Sequence, residues 1–208
     1  MNITDCRFCQ IKNGNILAPY DQPIKRSDGY FSLTSVGAFI RGWSLIIPEA
    51  HTYSMRDEYA KSCFLAFAND WINHVKKTYK KRIIVFEHGA NHCASLTSCG
   101  TNHAHLHVVP YDNSLLAKMK NDRSWISVRY DHLNKTLGDD EYLLYAEVDN
   151  YLEKSIFYVH FLAAEESQYF RKLLGEKARI KDYNYKTTPY YNDTIESYLK
   201  LSGESYGE

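Results

Sequence analysis

The sequence predicts an α+β protein, with strands backed by helices in its first half and an α/β extension behind them. Three observations carry that reading. Asp28-Gly29, a dipeptide suited to a tight hairpin turn, separates two short strand-like runs. Ala60, Phe64, Phe67, Trp71 and Val75 recur at spacings of three or four, which places one apolar stripe along a helix. Residues 103–108 alternate histidine with Ala104, Leu106 and Val108, the period of a strand.

Taken in order, Cys6 to Asn13 predicts a short helix stopped by Gly14, whose left-handed freedom suits a helix end. Ile24 to Ser27 and Tyr30 to Thr34 are the hairpin strands, and Trp43 to Pro48 is a third. Asp57 to about Tyr79 is the striped helix. Its basic tail, Lys76 to Arg82, complements the helix dipole at that end. Arg82 to Phe86 and His103 to Val109 are two further strands. Beyond them, Tyr142 to Glu147 and Ser155 to Phe161 pair around a turn at Asp149-Asn150. Glu165 to Leu174 is a helix ending at Gly175, and Asp193 to Leu201 a last helix with Asp193 as its N-cap.

Composition narrows the function classes. The chain has 208 residues, 44% hydrophobic and 24% charged, enough for one domain with an appendage. Twenty-five basic residues balance 25 acidic ones, so bulk charge favours neither nucleic acid nor an anionic membrane. Apolar runs such as Leu45-Ile46-Ile47 are too short to span a bilayer, and the first residues do not read as a signal peptide. Five cysteines in such a chain read as reduced thiols, with metal binding favoured over disulfides. The expectation is a soluble cytoplasmic protein.

The histidines carry the chemistry. In a strand, His103, His105 and His107 line one face, while Ala104, Leu106 and Val108 line the other and pack on the striped helix. Neutral imidazoles in a row offer nucleophilic nitrogens, hydrogen-bond donors and metal ligands together. Chance produces this spacing in roughly one chain in sixty of such a composition. A plain zinc site on alternating histidines stays open, and the triplet alone does not name a reaction.

Residues 103–109 nevertheless resemble the signature of the histidine triad (HIT) family, His-φ-His-φ-His-φ-φ with φ apolar. Gly42-Trp43-Ser44-Leu45-Ile46-Ile47-Pro48-Glu49-Ala50-His51 is similar to that family's Gly-His-x-Leu-φ-Ile-Pro-x-x-His segment. Cys6-Arg7-Phe8-Cys9 is similar to its Cys-x-x-Cys opening. The resemblance covers about the first 110 residues. It implies a HIT-like antiparallel sheet over residues 1–112, with 113–208 as an extension packed on that domain.

The resemblance also implies roles. His105 would attack the α-phosphorus of a nucleotide, its other ring nitrogen held by a backbone carbonyl, and His107 would hold the α-phosphate oxygens. Ser98, Gly100, Thr101 and Asn102 lie where the family contacts phosphate. Cys6, Cys9, His51 and His103 match the positions that hold structural zinc in the Cys-x-x-Cys branch. His107, where the transferring branches carry Gln, points to a hydrolase acting on a phosphoanhydride or phosphoramidate, with dinucleoside polyphosphates among the candidate substrates. A nucleotidyltransferase or phosphorylase, and a non-catalytic nucleotide-binding module, are the alternatives. Homodimer and monomer both remain open.

Three departures bear on specificity. Cys99 stands where the family has Gln near the leaving group, and Ser35 where an acidic residue commonly binds ribose. Phe86-Glu87-His88-Gly89 stands in place of an Asn-rich segment, which makes His88 or Glu87 a candidate substrate contact. Residues 167–171 resemble the extended part of larger members, which implies that Gln168 and Arg171 face the polyphosphate end. A surface helix with Tyr169 and Leu173 packed inward is the competing account.

Overall fold

Eight antiparallel strands form one sheet in the order β1-β2-β3-β5-β4-β7-β8-β6 in the computed structural model, which describes residues 6–92 and 102–204. The strands are β1 (Lys25–Ser27), β2 (Tyr30–Thr34), β3 (Ser44–Pro48), β4 (Ile83–Gly89), β5 (Leu106–Pro110), β6 (Ile126–Arg129), β7 (Tyr142–Val148) and β8 (Ile156–Phe161). The helices are α1 (Arg7–Lys12), α2 (Ser62–Tyr79), α3 (Leu116–Asp122), α4 (Tyr130–Leu137), α5 (Tyr169–Ala178) and α6 (Tyr191–Ser202). Among the described residues, no helix is long and apolar enough to cross a membrane.

Both faces of the sheet are covered, so its inner strands bury successive residues rather than every second one. On one face, Ile46, Val85, Leu106, Val108 and Leu144 pack against α2 and α4. On the other, the apolar lining divides in two. Phe31, Leu33, Leu45 and Ile47 pack under α1 through Phe8 and Ile11. Ile84, Phe86, Val109, Leu143 and Tyr145 pack under α3 and α5 through Met119, Phe170 and Leu174. The histidines have the same strand parity as Val109, and they fall at the seam between these two clusters.

Local chemistry explains the elements that match expectation. Asp28 (φ 55°) and Gly29 (φ 83°) both take left-handed backbone, as a tight two-residue hairpin turn requires. Phe64, Phe67, Trp71 and Val75 are buried along α2 as the stripe predicts. The α-helix itself starts later, at Ser62. Ala60 belongs to a separate 3-10 turn, Glu58–Ala60, and is exposed.

Other boundaries differ. Ladder pairing of the histidine strand begins at Leu106 rather than His103. The backbone ahead of it is held instead by Ala104 N–H donating to the Thr52 carbonyl at 2.7 Å. Helix α5 starts at Tyr169 and runs through Gly175, where a Cβ would meet Ile180 O and Tyr183 Cβ at 3.0 Å each, so packing rather than termination calls for glycine. Asp193 lies in the first turn of α6, not at its cap; Tyr190 precedes the helix. Helices α3 and α4 and strand β6 were not expected.

Candidate active site and metal centre

The short α1 and the chain after β3 bring four metal-binding side chains together. The ligand atoms of Cys6, Cys9, His51 and His103 all lie within 4.8 Å of one another. His103 Nδ1 is 3.4 Å from Cys6 Sγ and 3.6 Å from Cys9 Sγ, and His51 Nδ1 is 3.2 Å from Cys9 Sγ. A tetrahedral zinc ion with ordinary Zn–S and Zn–N lengths sets such edges at about 3.3–3.8 Å. His103 Nε2 faces the Pro48 carbonyl at 2.8 Å; a carbonyl only accepts, so the proton sits there and Nδ1 presents its lone pair to the cluster. Burial holds the His103 pKa down at about 4, and burial beside Cys6 raises the Cys9 thiol to about 11. Neutral imidazoles suit a cation, and a paired thiol set that resists ionising alone ionises readily on one. The donor set therefore fits zinc.

Next along the chain, His105 is half-buried and His107 is buried. Their surroundings hold the two rings in opposite tautomers. His105 Nδ1 lies 2.8 Å from the His103 carbonyl, so Nδ1 donates and Nε2 carries the lone pair. His107 Nδ1 lies 2.9 Å from Trp43 Nε1. An indole N–H only donates, so His107 Nδ1 accepts and its proton sits on Nε2. Burial is the first cause keeping both rings neutral; the His105 pKa falls to about 4 and that of His107 drops well below the usual range. The ring of His107 stacks on Phe86 at 4.5 Å and meets Trp43 edge-on at 5.7 Å. One imidazole can attack and its neighbour, 4.8 Å away between ring centroids, can donate.

Both rings open on a cavity of about 420 Å3, inside the about 300–1,000 Å3 range of small-molecule sites. Its walls come from three parts of the chain. Arg7, Phe8 and residues 17, 18, 20 and 21 form one side, the sheet forms the floor, and Gln168, Arg171, Tyr185 and Tyr191 close it from the extension. At the rim, Tyr20 and Tyr191 stack with ring centroids 5.9 Å apart.

Arg171 organises the far wall. Its guanidinium donates to the Gly37 carbonyl (2.5 Å), the Val36 carbonyl (3.1 Å) and Ser35 Oγ (3.2 Å), and lies 4.4 Å over the Trp43 ring. Gly37 (φ 73°) lets Tyr185 lie directly on this turn. A buried positive charge on a cavity wall attracts an anion. Two polar side-chain atoms on that wall, His88 Nε2 and Gln168 Oε1, are buried with no hydrogen-bond partner among the described residues.

The expected site residues thus divide. His105, His107, His88 and Ser35 line the cavity, as do Gln168 and Arg171, while Tyr169 and Leu173 of the competing surface-helix account are indeed packed inward beside them. Asn102 is half-buried ahead of His103 and is not among the lining residues. Ser98, Gly100 and Thr101, with Cys99, lie outside the described residues. Sequence reasoning missed Trp43, Tyr185 and Tyr191. A signal existed only for Trp43, which stands where the similar family segment has histidine.

The solved structures it resembles include histidine triad proteins. A Zn-bound histidine triad family protein from Mycobacterium smegmatis is 22% identical, with 54% of this chain and 79% of that chain covered at a TM-score of 0.40. A Hit-like protein from Bartonella henselae is 19% identical over 53% and 80%, at 0.42. Yeast Ap4A phosphorylase Apa2 is 12% identical over 88% and 76%, at 0.45. No family model and no curated protein matches the sequence. Identities of this size leave reaction and ligand to the site itself.

Proposed function

We propose that this chain is a HIT-type nucleotide hydrolase that cleaves at the α-phosphate and releases a nucleoside monophosphate. The carrying observation is the pair of opposed tautomers, His105 with a lone pair on Nε2 and His107 with a proton there, on the floor of one cavity. In the first step the His105 Nε2 lone pair attacks the α-phosphorus, and the bond to the leaving group breaks with its electron pair on the departing atom. His107 Nε2–H holds an α-phosphate oxygen as charge redistributes. In the second, a water oxygen attacks the same phosphorus, the P–N bond returns its pair to His105, and the water proton goes to solvent. Splitting the displacement lowers each barrier.

In this reading Ser35 borders the nucleotide, and Ser98, Gly100, Thr101 and Asn102 contact phosphate. Residues 113–208 act as the extension that completes the pocket of a 1–112 domain, with Gln168 and Arg171 beside the phosphate chain. Zinc on Cys6, Cys9, His51 and His103 is structural: it ties α1 to the nucleophile's segment, and its thiolates suit a reducing cytoplasm.

The test incubates wild type and His105→Asn with mononucleotide and dinucleotide polyphosphates and a phosphoramidate, with and without inorganic phosphate, and identifies products by mass spectrometry. Release of a monophosphate by wild type, at least a thousandfold faster than the variant, supports the assignment; that factor is about 4 kcal/mol. A nucleoside diphosphate formed only with phosphate replaces the hydrolase with a phosphorylase. Binding without turnover by either protein replaces it with a nucleotide-binding module.

A further inference from the structure

We propose that His88 is a fourth histidine of this site, whose Nε2 hydrogen-bonds the phosphoryl group that His105 receives. The inference rests on the reading of His105 as nucleophile and adds a substrate contact to it.

Sheet register carries the placement. Strands β4 and β5 pair Ile83 with Pro110, Ile84 with Val109, Val85 with Val108 and Phe86 with His107. Continued by two residues, that register sets His88 opposite His105. Facing residues on one side of an antiparallel pair have Cβ atoms about 4.5–5.5 Å apart. Two-residue parity puts His88 on the same face as Phe86, and hence on the face of His105 and His107. The cavity wall includes all three histidines.

The ring's surroundings then ask for a ligand. His88 packs against Phe170 with centroids 5.3 Å apart, a place an apolar side chain would fill without loss. Instead it brings a buried Nε2 with no hydrogen-bond partner among the described residues, an arrangement that folded proteins rarely tolerate without a use. Gln168 Oε1, also without a partner among the described residues, marks the same space as one meant to hold polar atoms. Burial keeps His88 neutral, its pKa near 4. A neutral ring donates one N–H to a phosphoryl oxygen and loses no proton in doing so, as a hydrogen bond to an anion requires. With His107 on β5 and His88 on β4, the phosphoryl group is gripped from both strands that flank the nucleophile.

Two substitutions test the contact. His88→Leu removes the nitrogen and keeps a packed side chain; His88→Gln restores an N–H near the Nε2 position. Affinity for AMP and GMP, and separately for adenosine and guanosine, is read by calorimetry. kcat/KM is read on the best substrate of the wild type, and melting temperature on the free protein. The expected result for His88→Leu is a roughly 10- to 100-fold loss of nucleotide affinity and kcat/KM. Nucleoside affinity should hold, the melting point should hold or rise, and His88→Gln should recover most of the loss.

A His88→Leu protein within twofold of wild type on every nucleotide overturns the proposal while leaving the His105 reading intact. Equal loss of nucleotide and nucleoside binding together with a lower melting point also overturns it, because that is the signature of packing. If wild type turns nothing over but His88→Leu still loses nucleotide affinity selectively, the hydrolase reading fails and the His88 contact stands. If wild type binds neither nucleotides nor nucleosides, both fall.

Discussion

Replacing Trp43 with phenylalanine separates the tautomer of His107 from the packing around it. The smaller ring can keep the edge contacts with Phe39 at 5.6 Å and Phe86 at 5.5 Å, but it has no N–H for His107 Nδ1. Three contributions add. Leaving a buried acceptor unpaired costs about 1–3 kcal/mol. The shrunken side chain adds about 1 kcal/mol for the space it leaves. A weaker face for Arg171, 4.4 Å above the indole, adds about 0.5–1 kcal/mol. The variant should thus be about 2.5–5 kcal/mol less stable by denaturant titration. Its His107 ring is free to carry the proton on Nδ1, which turns a lone pair instead of a donor towards the phosphate. Loss of such a donor lowers kcat by about 100- to 1,000-fold. Histidine 15N shifts report the tautomer, and the product assay, run well below the melting point, reports the rate. If His107 keeps its proton on Nε2 in the variant, Trp43 does not set the tautomer. If the tautomer changes and kcat stays within threefold, His107 does not act as the donor.

Three further outcomes are expected. Protein purified under reducing conditions should carry one zinc per chain by atomic absorption, and Cys9→Ser should lose it and expose Arg7 and Lys12 to trypsin; wild type that binds no zinc in a direct titration refutes the metal assignment. His88, with a pKa near 4 in the fold against about 6.5 unfolded, takes up its proton more readily in the unfolded chain. Stability should therefore be flat above about pH 6.5 and fall as pH drops to 4, with this one group contributing about 3 kcal/mol; an unchanged slope in His88→Leu would contradict the burial argument. Gly37→Ala forces a side chain at φ 73° and into the Cβ of Tyr185. It should cost about 1–2 kcal/mol for the backbone alone and weaken nucleotide binding; a variant with wild-type melting and affinity shows that Tyr185 can move aside freely.

What was legible in the sequence was local. The Asp28-Gly29 turn, the α2 stripe and the histidine alternation each follow from residues a few positions apart, and their chemistry does not depend on what packs on them. The Cys6, Cys9, His51 and His103 set was legible only through resemblance, since its members meet across as many as 97 residues of chain. Helix α4 escaped notice because it buries only Leu133 and Leu137, and β6 because it buries only Val128. The wall of the cavity escaped for a different reason. Trp43 meets His107 across 64 residues, and Arg171 reaches Ser35 across 136, so neither pairing leaves a periodic trace. Gly175 misled because glycine serves close packing as well as helix ends.

The convergence of both ends of the chain on the cavity also orders events in time. The histidine segment leaves the ribosome well before Arg171, Tyr185 and Tyr191 exist. At about 5–20 residues per second, the interval from His107 to Tyr191 lasts roughly 4–17 s. Throughout it, the nascent chain holds its imidazoles without the wall that shields them from water or the rim stack with Tyr20. The low basicity of these rings comes first from burial, and the last segment completes it. A truncated chain ending before α5 should carry a His105 that is more basic than in the full chain, since Arg171 and the wall around it are missing.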